Sequence, residues 1–406
     1  MIKIKLKKGR EESLKRFHPW VFSGAISSIE GEPKEGDIVS IYAHDGALLG
    51  CGNYQIGSIS VRMLSFDSAT LLPDFWEVKI GNGLKAREAY GLAGSSQTTC
   101  YRLIHGEGDN LPGLIIDFYA GTAVIQTHTS GMFLSRQKIV EALKKVYGSK
   151  LKAVYDKSSG TAPLKVGLEL NDGYLYKGDK DEPNESVVLE NGHKFLVDWE
   201  KGQKTGFFLD QRENRLKVEK YAAGRKILNL FCYTGGFSIY AIAGGAVKVD
   251  SVDSSAKAIE MLEKNMFLNG FDLSTEENTS AGKIHTSYCE DAIEFLKKSP
   301  KNSYDLMIVD PPAFAKHRVA IDNALKGYQK LNTAAISKIA PGGIIFTFSC
   351  SQVIDKNAFA LAVFSAAAQT GRKVRIIDRM NQPADHAVNI YHPEGEYLKG
   401  LILYVE

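Results

Sequence analysis

The chain has few cysteines for its 406 residues: Cys51, Cys100, Cys232, Cys289 and Cys350, an odd number, scattered, with no C-x-x-C pair. That pattern argues against a disulfide framework and against a zinc site, and it fits a reducing cytoplasm. Long apolar runs are also missing. None approaches the roughly 18 residues that span a bilayer, so a membrane is not an expected partner. The N-terminus alternates charge with aliphatic residues, unlike a signal peptide. Net charge is nearly absent, at a formal +3, so bulk charge names no partner. The glycine-rich turn at residues 233–236 does not spell G-x-G-x-x-G, which speaks against NAD and FAD. No internal repeat or low-complexity tract stands out.

What is present reads as a soluble globular chain, long enough for two or three domains, each with its own core. Its charge is unevenly spread. The first twenty residues hold Lys3, Lys5, Lys7, Lys8, Arg10, Lys15 and Arg16 against Glu11 and Glu12, either a solvated face or a nucleic-acid contact. Three regions separate by pattern. Residues 1 to about 70 read as short β elements, with Ile2, Ile4 and Leu6 alternating with lysines. Further strands are expected over residues 37–42 and 58–63, making a small all-β module whose core would include Trp20 and Phe22. Residues 74–186 read as an α+β region, with helices over 76–90 and 137–147 and two strands joined at Ala120-Gly121. Residues 177–185 read as a linker. From 190 to 406 strand and helix patterns alternate, the mark of a doubly wound α/β sheet, with strands at 226–230, 248–252, 283–287, 306–309, 344–348, 374–377 and 401–405.

Three of these strands end on chemistry. One opens into Phe231-Cys232-Tyr233-Thr234-Gly235-Gly236, another stops on Asp310-Pro311-Pro312, and a third stops on Ser349-Cys350-Ser351. Ligands of open α/β sheets bind at the carboxyl ends of the strands. A glycine turn there lets backbone amides approach a polar group at a helix start. Asp253, ending the next strand, is spaced for ribose hydroxyls, and Glu290-Asp291-Ala292, after the third, offers an acid or its backbone for an adenine edge. S-adenosylmethionine satisfies this pattern, though a turn that only packs its helix would look the same. Cys350 is either a nucleophile or a small buried hydrophobe.

The same residues carry a resemblance. The turn from Phe231 is similar to motif I of class I methyltransferases, and Asp310-Pro311-Pro312-Ala313-Phe314 to motif IV. More specifically, His18-Pro19-Trp20-Val21-Phe22-Ser23-Gly24, the run from Gly202 to Arg212 (GQKTGFFLDQR), the run from Leu228 to Ser238 and Glu396-Tyr397-Leu398-Lys399-Gly400 resemble signatures of one family. That family comprises ribosomal RNA large-subunit methyltransferases that make 5-methylcytosine. The resemblance spans nearly the whole chain. It implies a PUA-like RNA-binding domain, a central domain and a Rossmann-like methyltransferase domain that uses S-adenosyl-L-methionine. It implies cofactor contacts from Lys204, Phe207, Asp210, Gln211, Phe231, Tyr233, Thr234, Gly235, Asp253, Ser254, Asp291, Ala292 and Asp310. It gives catalysis to Cys350 and Asp310, with ribosomal RNA as partner and a homodimer left open.

The chemistry suits those two residues. Carbon 5 of a pyrimidine is a poor nucleophile until a thiolate adds at carbon 6 and a proton-handling group assists at N3. Ala313 stands where an exocyclic-amine enzyme would have an aromatic, which disfavours that alternative. It also stands where many 5-methylcytosine enzymes have a second cysteine, so product release falls to Lys316, His392 or Glu396. Uracil-5 or guanine-nitrogen methylation, and a non-catalytic RNA-binding or ribosome-assembly role, stay open on these residues. Tyr101-Arg102 and the loop at 106–109 are further candidates for contacts either to substrate or to the catalytic domain.

Overall fold

The computed structural model describes residues 2–163, 170–178, 185–271, 284–315 and 317–406. Two compact units emerge: Met1–Asn191 with Val197–Leu209 and Ala384–Gly395, and Gly192–Leu196 with Asp210–Pro383 and Glu396–Glu406.

The first unit holds two sheets. One is built from β1 (Lys3–Leu6), β2 (Trp20–Phe22), β3 (Ile26–Glu30), β4 (Ile38–Tyr42), β5 (Leu48–Tyr54) and β6 (Ile59–Ser65), in the order β2-β6-β5-β4-β1-β3, with α1 (Glu12–Lys15) between β1 and β2. In β1, Ile4 and Leu6 are fully buried while Lys3 and Lys5 face solvent, the period-2 alternation of a half-buried strand. Ile4, Leu6, Val21, Val39, Ile41, Val61 and Met63 form the core of this sheet. The expectation that Trp20 and Phe22 belong to that core is corrected. Phe22 is 48 % exposed. Trp20 is half-buried, and its indole N–H donates to Glu107 Oε1 at 2.9 Å. Only Val21, on the other face of β2, reaches the interior.

The second sheet follows α2 (Phe75–Ala89). It comprises β7 (Cys100–His105), β8 (Leu114–Tyr119), β9 (Thr122–Thr127), β10 (Ala153–Asp156) and β11 (Gly173–Lys177), in the order β11-β10-β9-β8-β7, with α3 (Ser130–Leu134) and α4 (Arg136–Tyr147) between β9 and β10. Buried ion pairs brace it: Arg87 with Asp109 at 2.5 Å and Arg102 with Asp117 at 2.8 Å. Tyr101 is buried against the Tyr147 hydroxyl. Tyr101, Arg102 and Asp109 thus take part in this unit's own packing. β11 ends at Lys177, and a two-stranded sheet of β12 (Glu185–Glu190) and β13 (His193–Asp198) follows. Most of the expected linker at 177–185 lies outside the described residues.

The main segment of the second unit, Asp210–Pro383, has α5 (Arg212–Ala222) as its first α-helix. β14 (Lys226–Leu230), α6 (Gly236–Ala243), β15 (Lys248–Asp253), α7 (Ala256–Leu268), β16 (His285–Cys289) and α8 (Ala292–Lys298) come next. β17 (Leu306–Val309), α9 (Ile321–Lys338), β18 (Gly343–Ser349), α10 (Lys356–Thr370), β19 (Val374–Asn381) and β20 (Lys399–Val405) complete it. The seven strands lie in the order β16-β15-β14-β17-β18-β20-β19. All neighbours are parallel except β20, which runs antiparallel to both β18 and β19. Every residue of β17 and β18 is buried, as expected of central strands covered by helices on both faces. Each fully buried Leu, Ile or Val there contributes about 1.5–3 kcal/mol. Strand order reverses between β14 and β17. From β14 the chain builds outward to β16, then returns to add β17 and β18 on the other side. That reversal opens a crevice at the carboxyl ends of β14 and β17. Among the described residues no helix is long and apolar enough to cross a membrane.

Candidate active site

The turn after β14 is held in a strained shape. Phe231, Tyr233 and Gly235 have φ of 59°, 47° and 82°, three left-handed residues in five. Each of the two non-glycines costs about 1–2 kcal/mol in that conformation, so surrounding bonds must impose it. They do. Cys232 N–H donates to the Val252 carbonyl at 3.0 Å, Gly235 N–H to the Cys232 carbonyl at 2.9 Å, and Asn265 Nδ2 to the Thr234 carbonyl at 3.0 Å. Tyr233 N–H donates to Asp253 Oδ2 at 3.0 Å. A β-carbon on Gly235 would stand 2.7 Å from Leu262 Cγ, so only glycine fits where α6 starts.

Asp253 ends β15 half-buried. Its Oδ1 accepts from Ser255 N–H at 2.9 Å and its Oδ2 from Tyr233 N–H. A carboxylate offers about four acceptor sites, so it still has room for a vicinal diol. Ser254 is exposed beside it, and its carbonyl accepts from the Cys289 thiol at 3.7 Å. Asp291 is the N-cap of α8, its Oδ1 accepting from Ile293 and Glu294 N–H at 2.9 and 3.0 Å. Ala292 is buried behind it. The glycine cradle at the start of α6, followed by acids at the ends of β15 and β16, fits the amino-acid, ribose and adenine parts of S-adenosylmethionine. Thr234, buried, and Phe231 and Tyr233, half-buried, complete that rim.

The run from Gly202 divides between the units. Lys204 and Phe207 belong to the first, Asp210 and Gln211 to the second. Lys204 is left-handed, with φ of 48°, and its ammonium lies 4.3 Å from the centre of the Phe208 ring. Phe207 is buried. Thr205 donates to Asp117 Oδ2 at 2.6 Å, anchoring the run in the first unit. Asp210 Oδ2 accepts from the Tyr397 hydroxyl at 2.7 Å. Gln211 Nε2 donates to Asp310 Oδ2 at 2.9 Å, so this residue touches a catalytic candidate directly.

Asp310 and Cys350 follow the paired strands β17 and β18, and both are half-buried. The serines flanking Cys350 are buried, and Ser351 Oγ lies 3.1 Å from the Tyr328 hydroxyl. The other thiols differ. Burial, with Asp253 adding to it, pushes Cys232 well above the ordinary thiol range, and burial pushes Cys51 up to about 11. Both disfavour a thiolate. Cys100 is buried and Cys289 exposed.

Of the groups expected to serve product release, Lys316 lies outside the described residues. His392 is buried in the first unit, its ring 4.3 Å from that of Trp20. Glu396 pairs with Lys356 at 2.5 Å. Sequence reasoning overlooked Asn214, Tyr397 and Lys399, although the last two stand inside a quoted signature.

A family model described as S-adenosylmethionine-dependent methyltransferase matches residues 174–394, and a PUA-like domain model matches residues 4–66. A ribosomal RNA large subunit methyltransferase I from Aeromonas salmonicida is 40 % identical over 402 residues, 98 % of each chain. The protein of that name from Shewanella amazonensis is 38 % identical over 406 residues, 99 % of this chain and 98 % of the other. The chain belongs to the ribosomal RNA large subunit methyltransferase I family. Members of the family are thus the frame for its fold and cofactor: it is an S-adenosylmethionine-dependent methyltransferase with a PUA-like domain. A SAM-dependent methyltransferase from Streptococcus mutans superposes with a TM-score of 0.81 at 25 % identity, with full coverage of both chains. A methyltransferase solved in complex with SAH gives 0.83 at 25 %, again over 100 % of both chains.

Proposed function

We propose that the protein methylates carbon 5 of a cytosine in large-subunit ribosomal RNA, with Cys350 as nucleophile and Asp310 at the N3 edge of the ring. The observation that carries this is the placing of Cys350 and Asp310 just beyond adjacent strands β18 and β17, with β17 also bordering β14 and its glycine turn.

Cys350 adds as thiolate to carbon 6, and the ring's electrons shift toward carbon 5 and N3. Asp310, held by Gln211, assists by hydrogen bonding or protonation at N3. The cofactor supplies an electrophilic sulfonium methyl. After transfer a base takes the carbon 5 proton, the carbon–sulfur bond breaks and the thiolate is regenerated. Asp210, Gln211, Phe231, Tyr233, Thr234, Gly235, Asp253, Ser254, Asp291, Ala292 and Asp310 are proposed to hold the cofactor.

A base stacked in a helix cannot reach such a site, so the target must be unpaired or flipped out. The PUA-like domain supports RNA binding: Lys3, Lys5, Lys7, Lys8 and Arg10 are all exposed on it. In this reading the domains are an RNA-binding one at residues 1–70, a central one at 74–186 and the methyltransferase at 190–406. The action on ribosomal RNA would be cytoplasmic. Nucleoside analysis of ribosomal RNA from a deletion strain tests it. Loss of one 5-methylcytosine from the large-subunit RNA is expected. Loss of 5-methyluridine or of a methylated guanine instead would replace the cytosine reading.

A further inference from the structure

Lys399 opens β20 and pairs in register with Ser349, the last residue of β18. It is only 5 % exposed. A buried ammonium is costly unless its protons are taken up. Here it donates to the carbonyl of Ser351 at 2.6 Å and to that of Ile354. Cys350 therefore lies between the residue that pairs with Lys399 and a residue that its ammonium grips. Both acceptors are neutral carbonyls, so the positive charge is not cancelled by them.

The charged and titratable groups facing Lys399 are Cys350, Asp355, Glu396 and Lys356. Glu396 and Lys356 pair with each other, and Asp355 Oδ1 caps α10 by accepting from Ala358 N–H at 2.8 Å. From α9, Tyr328 faces both Ser351 and Cys350, and burial raises its phenol, keeping it neutral at ordinary pH. Cys350 is thus the neighbour whose charge must change during the proposed reaction.

We propose that Lys399 is the positioning residue that holds Cys350 as a thiolate and fixes the loop that carries it. This rests on the reading of Cys350 as the nucleophile. Sulfur is anionic before it bonds to carbon 6, neutral in the adduct and anionic again when it leaves. A fixed cation beside it favours both the attacking and the leaving form. Burial lowers the Lys399 ammonium to about 8, so it is still mainly charged at neutral pH, and the thiolate supports that charge in return.

The test is alkylation of Cys350 by iodoacetamide across pH, read by peptide mass spectrometry on the full chain. In the wild type the profile should have its midpoint below about 8.5, the ordinary thiol value. In Lys399→Gln the midpoint should rise by about one unit, a roughly tenfold loss of reactivity at neutral pH, while Lys399→Arg should keep part of the shift. A wild-type midpoint at or above about 8.5 overturns the proposal without any variant. So does a folded Lys399→Gln protein whose profile superposes on the wild type. Methyl transfer by Cys350→Ala is measured separately. Activity there removes the nucleophile reading, while the alkylation profile alone decides the charge coupling.

Discussion

Gln211 joins Asp310 to α5: its Nε2 donates to Asp310 Oδ2 at 2.9 Å while its Oε1 accepts from Asn214 Nδ2 at 2.6 Å. The amide is held at both ends, so the carboxylate it touches is aimed. Gln211→Ala removes one bond from a half-buried acid, worth about 1–2 kcal/mol. Single-turnover methyl transfer should slow by roughly tenfold, with the circular dichroism spectrum unchanged. A rate equal to wild type would remove Gln211 from the site.

Asp253 both shapes the turn and faces the rim. Its loss releases the Tyr233 N–H and removes the proposed diol acceptor. Asp253→Ala should weaken S-adenosylmethionine binding by roughly 1–3 kcal/mol in calorimetry. Unchanged affinity in a folded protein would exclude it from the pocket.

Gly235 tolerates no side chain. Gly235→Ala places a methyl 2.7 Å from Leu262 Cγ at a φ of 82°. A backbone cost of about 1–2 kcal/mol is expected, plus repacking of α7. Thermal unfolding should move down and cofactor affinity should fall with it. A midpoint equal to wild type would mean that the turn relaxes without cost.

Cys350 should form a bond to carbon 6 of the target pyrimidine. A 5-fluoropyrimidine in the RNA lacks the proton that must leave, so the adduct should persist through denaturing electrophoresis. Cys350→Ala should give none. An equal adduct in that variant would move the role to another thiol. Cys289, exposed, would be examined before Cys232, whose burial opposes ionisation.

The exposed lysines of the PUA-like domain are expected to hold phosphates. Reversing charge at Lys5, Lys7 and Lys8 should weaken RNA binding and flatten its dependence on salt, because fewer counterions are released. An unchanged slope would leave them as an ordinary solvated face.

The sequence by itself determined the central strands of the second unit. β17 and β18 are buried along their whole length and β14 beyond Lys226, which forces largely apolar runs, and at β17 the acid that stops the run, Asp310, marks where the strand ends. It determined the alternation of β1, because one face meets the core and the other water. The tertiary structure alone decided the rest. β20 inserts antiparallel between β18 and β19, and hydropathy carries no strand direction. Phe22 has the composition of a core residue but lies on the outer face of a three-residue strand, too short to show a period. Gln211 and Asp310 are 99 residues apart, and Lys399 and Ser351 are 48 apart. Such contacts exist only once the sheet has closed, since pairing between distant segments depends on which strands become neighbours and not on any local pattern.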